Sequence, residues 1–140
     1  MIRQATNDDI EEIVQLWYQV NVTAHAFISK DYWKSHFDEV KKMLPLAEII
    51  VYEQNGVITG FVGLNDTYIS GIFVSSDVQS KGIGKQLLDY AKKIKSELSL
   101  NVYQKNERAT HFYLREGFII KSEDMDTDNN EKEYLMVWKK

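Results

Sequence analysis

The chain has no cysteine. Disulfides and a cysteine nucleophile are therefore excluded, and the absence fits a cytoplasmic location. No apolar run approaches the ~18 residues that a membrane-spanning helix needs. The first turns carry Asp8, Asp9, Glu11 and Glu12 where a secretory leader would place basic residues and then an apolar stretch, so no leader is expected. Three histidines and scattered carboxylates show no metal-ligand spacing, and no metal is expected. A net charge of −4 argues against a general nucleic-acid binder. Linkers, repeats and low-complexity tracts are missing too, so residues 1–140 are expected to form a single domain.

What is present is core-forming. Hydrophobic residues make up 44% of the 140 residues and aromatics 12%, enough for a packed interior. Residues 2–5 read as a strand, and Thr6 or Asn7 caps a first helix with an acidic first turn. Ile10, Ile13, Val14, Trp17 and Val20 recur at helical spacing on its buried face. Val22 to Ser29 reads as irregular. Ser29 caps a second helix carrying Trp33, Phe37, Val40 and Leu44, and the only proline, Pro45, ends it. Strands at Glu48 to Gln54 and Val57 to Leu64 flank Asn55-Gly56, a hairpin signal. Further strands follow at 68–74 and 98–103, a helix at about 107–116, and a last hairpin at roughly 118–125 and 132–138.

Two segments carry chemistry. Gln79-Ser80-Lys81-Gly82-Ile83-Gly84-Lys85 follows a strand and opens a helix with apolar positions at Ile83, Leu87, Leu88, Ala91, Ile94 and Leu98. Unpaired first-turn N–H groups and the helix dipole favour an anion there. Gly82 and Gly84 put no side chain in the way, and Lys81 and Lys85 add positive charge. A dinucleotide fingerprint would need a third glycine where Leu87 stands, and a P-loop would need a four-residue spacer. The second segment runs from Asn106-Glu107-Arg108-Ala109 through Phe112-Tyr113 to Gly117-Phe118, just after a short apolar strand. Asn106 suits the strand-to-helix corner. Ala109 permits close approach, and Gly117 suits a left-handed helix end.

The patterns Q-x-x-G-x-G and N-x-x-A-x-x-F-Y-x-x-x-G-F, in this order, resemble the GCN5-related N-acetyltransferase (GNAT) superfamily. The runs Leu16-Trp17, Thr23 to Ile28 and Tyr32-Trp33, with Asn101 to Asn106, look similar to its small bacterial YjaB/YiaC-like members. The resemblance implies an α/β (α+β mixed sheet) fold, β-α-α-β-β-β-α-β-α-β-β, with parallel central strands that splay apart. It implies acetyl-CoA as cosubstrate. The cofactor-binding residues would be Ile72, Phe73 and Val74 through their backbone, Gln79 through Lys85, Asn106 and Tyr113.

The implied reaction moves an acetyl group to a primary amine by direct attack in a ternary complex. No cysteine or Ser-His-acid arrangement suggests an acyl-enzyme. Tyr113, with an unperturbed pKa near ~10, is the expected general acid for the leaving thiolate. Some members carry a glutamate where this chain has Tyr68. His25 stands beside the expected acceptor site, either as the base or as a residue ordering the first interhelix connection. His25, Phe27, Tyr32 and Tyr68 are the expected acceptor pocket. His111, beside the Phe-Tyr pair, is expected to pack. The acidic run Glu123, Asp124, Asp126 and Asp128 reads first as a solvated hairpin, and second as an attractor for a cationic amine or lysine-bearing peptide. Two other classes remain: a non-catalytic CoA-binding regulatory module, and a nucleotide-binding protein resting on the Gly82/Gly84 turn alone.

Overall fold

A computed structural model describes residues 1–140. β1 (Ile2–Gln4) leads through a 3-10 turn (Asn7–Asp9) into α1 (Ile10–Ala24), then α2 (Lys30–Met43). β2 (Glu48–Gln54), β3 (Val57–Asn65) and β4 (Tyr68–Val74) form a meander. α3 (Ile83–Ile94), β5 (Glu97–Tyr103), α4 (Glu107–Arg115), β6 (Ile119–Asp126) and β7 (Glu131–Lys139) complete the chain. The seven strands make one sheet in the order β1-β2-β3-β4-β5-β7-β6, in which only β4 and β5 run parallel. This is the mixed α/β architecture that the two motifs implied.

The local causes are legible. Asn55 and Gly56 have φ of 54° and 79°, the pair of positive values that a two-residue hairpin turn requires. Thr6 and Asp9 cap the first helical turn, with the Thr6 N–H donating to Asp9 Oδ2 at 2.8 Å. Arg3 then bridges Asp9 at 2.8 Å and Glu53 at 3.0 Å, fastening β1 to both neighbours. The Arg3 hydrogen bonds hold the Asp9 carboxyl at about 2. α3 buries Ile83, Leu87, Leu88 and Ala91 along one side. Full burial of a leucine side chain stabilises by about 2 kcal/mol.

Several expectations need correction. α1 continues through Ala24, across residues expected to be irregular. Thr6 holds the expected cap position, though the turn it opens is 3-10, and α2 stops at Met43, with Pro45 inside a separate 3-10 turn. Leu98 belongs to β5, and Ile94 is 42% exposed at the end of α3. His111 is exposed, because the buried stripe of α4 runs through Thr110 and Tyr113.

The sheet separates two apolar cores. One lies under α3 and α4 and takes Ile69, Leu98, Leu100, Val102, Tyr113, Phe118 and Met136. The other lies under α1 and takes Ile13, Leu16, Ile49, Val51, Ile58 and Phe61. No helix is long and apolar enough to cross a membrane.

Candidate active site

β4 and β5 share a single register pair, Tyr68 with Ser99, to which the bond from the Ser99 N–H to the Thr67 carbonyl at 2.9 Å belongs. Beyond it the strands part. Past Ile69 no further register pair joins β4 to β5, so between Ile69 and Val74 the β5-facing backbone groups of β4 have no partner on β5, which suits an extended amide-bearing arm. Ile72 and Val74 pack toward the α3 core, while Phe73 stacks on Phe61 at 4.8 Å on the α1 side. The side chains of Ile72, Phe73 and Val74 are thus engaged in the two cores.

The connection from β4 to α3 closes one end of that cleft. Ser80 and Gly82 both take left-handed backbone conformations, with φ of 67° and 82°. Alternating left-handed residues gather N–H groups into an anion-binding concavity. The first α-helical bond of α3 runs from the Gln86 N–H to the Gly82 carbonyl at 3.0 Å, so the N–H groups of the preceding turn remain free. A Cβ on Gly84 would sit 3.7 Å from Phe112 and 3.8 Å from Val74, in ordinary contact. Gly84 is thus not required by the packing of the chain itself. Lys81 is exposed. Lys85 pairs with Asp89 at 3.1 Å and Glu116 at 3.2 Å, so its charge is already shared with two carboxylates. Gln79 spends both ends of its amide inside the chain, on Val74 and Arg108.

α4 brings in the second motif. Asn106 caps it, its Oδ1 accepting from the Ala109 N–H at 3.2 Å. Phe112 lies against the Gly84 turn. Tyr113 is 6% exposed and packs between Phe112 and Phe118, at ring distances of 5.2 and 5.4 Å. Burial alone pushes its hydroxyl pKa well up, with no hydrogen bond contributing, so the group stays protonated.

The opposite face of β5 gathers the residues expected to form the acceptor pocket. Leu98, Leu100 and Val102 point into the α3 core, so strand alternation turns Ser99, Asn101 and Tyr103 the other way. The Tyr68 hydroxyl donates to Asn101 Oδ1 at 2.8 Å, and the Tyr103 hydroxyl donates to Asp126 Oδ2 at 2.5 Å. Register puts Tyr103 opposite Glu133, and Glu133 opposite Asp124. The acidic hairpin therefore turns Asp124 and Glu133 toward this face, with Asp126 joined to it through Tyr103. Burial and the charges of Asp126 and Asp124 raise the Glu133 pKa. Burial also pushes Asp126 up, but hydrogen bonds from Asn129, Tyr103 and two backbone N–H groups win and leave it lowered. Tyr32 is raised by burial and by the Asp126 and Asp128 charges. Phe27 packs on Tyr103 at 5.5 Å.

His25 stacks on Trp33 at 5.4 Å and meets the rings of Phe27 and Tyr103 edge-on. Its Nε2 faces Asn106 Nδ2 at 3.2 Å, while Nδ1 is buried without a partner. An amide nitrogen only donates, so Nε2 accepts and the imidazole is neutral. Burial lowers its pKa to about 4. His25 and Asn106 thus join the aromatic cluster of Phe27, Trp33 and Tyr103 to the cap of α4.

A stability prediction follows from that burial. Above the unfolded value of 6.5, both folded and unfolded chains hold neutral imidazole. Between 6.5 and about 4 the unfolded chain takes up a proton that the folded chain refuses, so stability falls as pH drops through this window. One proton contributes a slope of at most ~1.4 kcal/mol per pH unit. Denaturant titrations at pH 7, 6 and 5 should show His25→Phe losing less stability toward acid than the wild type. Parallel losses would remove His25 as their source.

Asn101, Tyr103, Glu133 and Arg108 are not among the site residues expected from the sequence. The first two were detectable in the alternation of Leu98-Ser99-Leu100-Asn101-Val102-Tyr103. Glu133 needed the strand register, and Arg108 the packing of α4.

Residues 45–120 match the family model described as an acetyltransferase (GNAT) domain. The chain is 31% identical to the peptidyl-lysine N-acetyltransferase YiaC of Escherichia coli, over 99% of this chain and 96% of that protein. It is 30% identical to the peptidyl-lysine N-acetyltransferase YjaB of the same organism, over 84% and 80%. The solution structure of apo YjaB from E. coli superposes with a TM-score of 0.86 at 27% identity, covering 99% of this chain and 96% of that one. A PaiA N-acetyltransferase from Thermoplasma acidophilum, solved with coenzyme A, shares the fold with a TM-score of 0.83 at 21% identity, over 100% and 98%. The splayed β4–β5 pair, the glycine turn and the Asn106-to-Phe118 segment belong to a GNAT-family chain, and this protein is an acetyl-CoA-dependent N-acetyltransferase.

Proposed function

We propose that the acceptor is a lysine side chain in a protein or peptide, acetylated by direct attack on acetyl-CoA in a ternary complex. The observation that carries this reading is the acidic face beside β5. Lys105 pairs with Glu131 at 3.1 Å, while no lysine or arginine pairs with Asp124, Asp126 or Glu133. Three carboxylates near Tyr68, Tyr103 and Tyr32 suit an alkylammonium with an apolar stem. Two relatives at 30–31% identity are peptidyl-lysine acetyltransferases, which supports the same reading.

In this reading the ammonium is first held by carboxylate charge and then loses a proton. That proton goes to solvent, and the free amine nitrogen attacks the thioester carbonyl carbon. The C–S bond breaks as Tyr113 gives its proton to the departing thiolate, and the second proton leaves the nitrogen and returns through solvent to Tyr113. Backbone N–H groups of Ile72 to Val74 are the donors proposed for the carbonyl oxygen. The β4–α3 turn from Gln79 to Lys85 takes the diphosphate. His25 has its accepting nitrogen engaged by Asn106 and a lowered proton affinity, so we assign it to positioning the acceptor side rather than to proton removal.

Mass spectrometry of acetyl transfer to lysine peptides, against free small amines, tests the acceptor class. Lysine peptides should be acetylated on Nζ, and Glu133→Gln should raise the peptide KM ~5-fold or more, the loss of one charged contact, with the acetyl-CoA KM unchanged. Transfer to small amines with no peptide product would overturn the lysine reading.

A further inference from the structure

Arg108 stands in the first turn of α4, yet both its terminal nitrogens end on the β4–α3 connection. Nη1 donates to Gln79 Oε1 at 2.7 Å and Nη2 donates to Ser80 Oγ at 3.0 Å. The other end of Gln79 is also fixed, its Nε2 donating to the Val74 carbonyl at 3.0 Å. A guanidinium can only donate, so the Gln79 oxygen must face Arg108 and its nitrogen must face Val74. The end of β4, the loop and α4 are thereby joined through one side-chain chain of bonds.

The loop needs such a restraint. Ser80 has a φ of 67°, in the left-handed region that a residue with a Cβ occupies reluctantly. The hydrogen bond from Arg108 is the one side-chain contact made by the Ser80 hydroxyl. Lys85, the other cation at the helix entrance within reach of α4, is committed to Asp89 and Glu116. Arg108 itself is exposed, so the fold gains little from its burial.

We infer that Arg108 is the positioning residue of the diphosphate loop: its planar fork holds Gln79 and Ser80 so that the loop N–H groups converge before the cofactor arrives. The inference rests on acetyl-CoA binding at this loop. A fork with two parallel donors suits two acceptors at once, which a single ammonium does not. Without the fork the loop samples other conformations, and apparent affinity falls by the fraction that stays competent. Only the part of the donor that the loop holds should feel the loss.

The test compares acetyl-CoA with acetyl-pantetheine, which carries the thioester arm but neither diphosphate nor nucleotide. CoA binding is read by calorimetry and turnover with both donors by thiol release. Arg108→Ala should weaken CoA binding ~10-fold, the scale of a charge-assisted hydrogen-bond pair. Its kcat at saturating acetyl-CoA, its use of acetyl-pantetheine and its melting temperature should stay near wild type. Arg108→Lys should recover only part of the affinity. Gln79→Ala added to Arg108→Ala should cost less than the two single losses summed, because both act through one contact. Unchanged CoA affinity in Arg108→Ala beside a CoA-binding wild type overturns the inference alone, as does an equal loss with acetyl-pantetheine. A wild type that binds no CoA overturns the acetyl-CoA assignment of the loop together with it.

Discussion

Replacing Tyr113 by phenylalanine should lower kcat by ~10²-fold, the usual scale for general acid catalysis. The ring is held by Phe112 and Phe118 and by the core under α3, and phenylalanine keeps all of that packing. Burial of the residue keeps the hydroxyl protonated, and no hydrogen bond in the chain stabilises its charged form. Removing it should therefore leave the melting temperature unchanged or slightly raised, since no partner is left unsatisfied. Acetyl-CoA affinity should also hold. The loss should sit in kcat, because the proton is needed only as the thiolate departs. It should shrink for an acyl donor whose leaving thiol is more acidic. Single-turnover kinetics, where chemistry limits the rate, decides the matter. Wild-type turnover in a folded Tyr113→Phe protein would take Tyr113 out of the mechanism and leave solvent as the proton source.

The parts of the fold legible in sequence are those fixed by short-range chemistry. Asn55-Gly56 demands a hairpin, the stripe from Ile83 to Ala91 demands a helix against a core, and the step from Val74 to Ile83 demands a strand-to-helix turn. Each is present. The errors came where local and tertiary preferences diverge. Val22 and Thr23 favour extended structure by their branching, yet they remain helical because α1 packs on α2 through residues such as Trp17 and Trp33, 5.9 Å apart. The run from Ile83 to Leu98 keeps an apolar rhythm across a change of element, so periodicity alone carried Leu98 into the helix.

The site divides in the same way. The glycine turn and the Asn106-to-Phe118 segment are contiguous in sequence, so their spacing was visible. The acidic run was visible too, but which face its members share was not. Alternating acids on a β-hairpin look alike whether they meet solvent or a substrate. Only the pairing of β5 with β7 and of β7 with β6, and the 2.5 Å bond from Tyr103 to Asp126, bring Asp124, Asp126 and Glu133 beside Tyr103. His25 was ambiguous for a related reason. A histidine between Ala24 and Ala26 says nothing of the Trp33, Tyr103 and Asn106 side chains that surround it in space.

Gly82 and Gly84 should separate under mutation, since each is a glycine for a different reason. Gly82 has a φ of 82° with nothing within 4 Å of its missing Cβ. Gly82→Ala should therefore destabilise the loop conformation by ~1 kcal/mol through backbone strain alone. Gly84 begins the helix with ordinary backbone geometry, and its Cβ would find room at 3.7 Å from Phe112. Gly84→Ala should fold as the wild type does and keep most of its acetyl-CoA affinity. Gly84→Val places branched bulk beside the free N–H groups and should raise the CoA dissociation constant ~10- to 100-fold, the ~1–3 kcal/mol of a charge-assisted hydrogen bond left unmade. Calorimetric titration with CoA, alongside thermal melts of all three variants, separates strain from occlusion. A folded Gly84→Val protein that binds CoA as tightly as the wild type would move the diphosphate away from this turn.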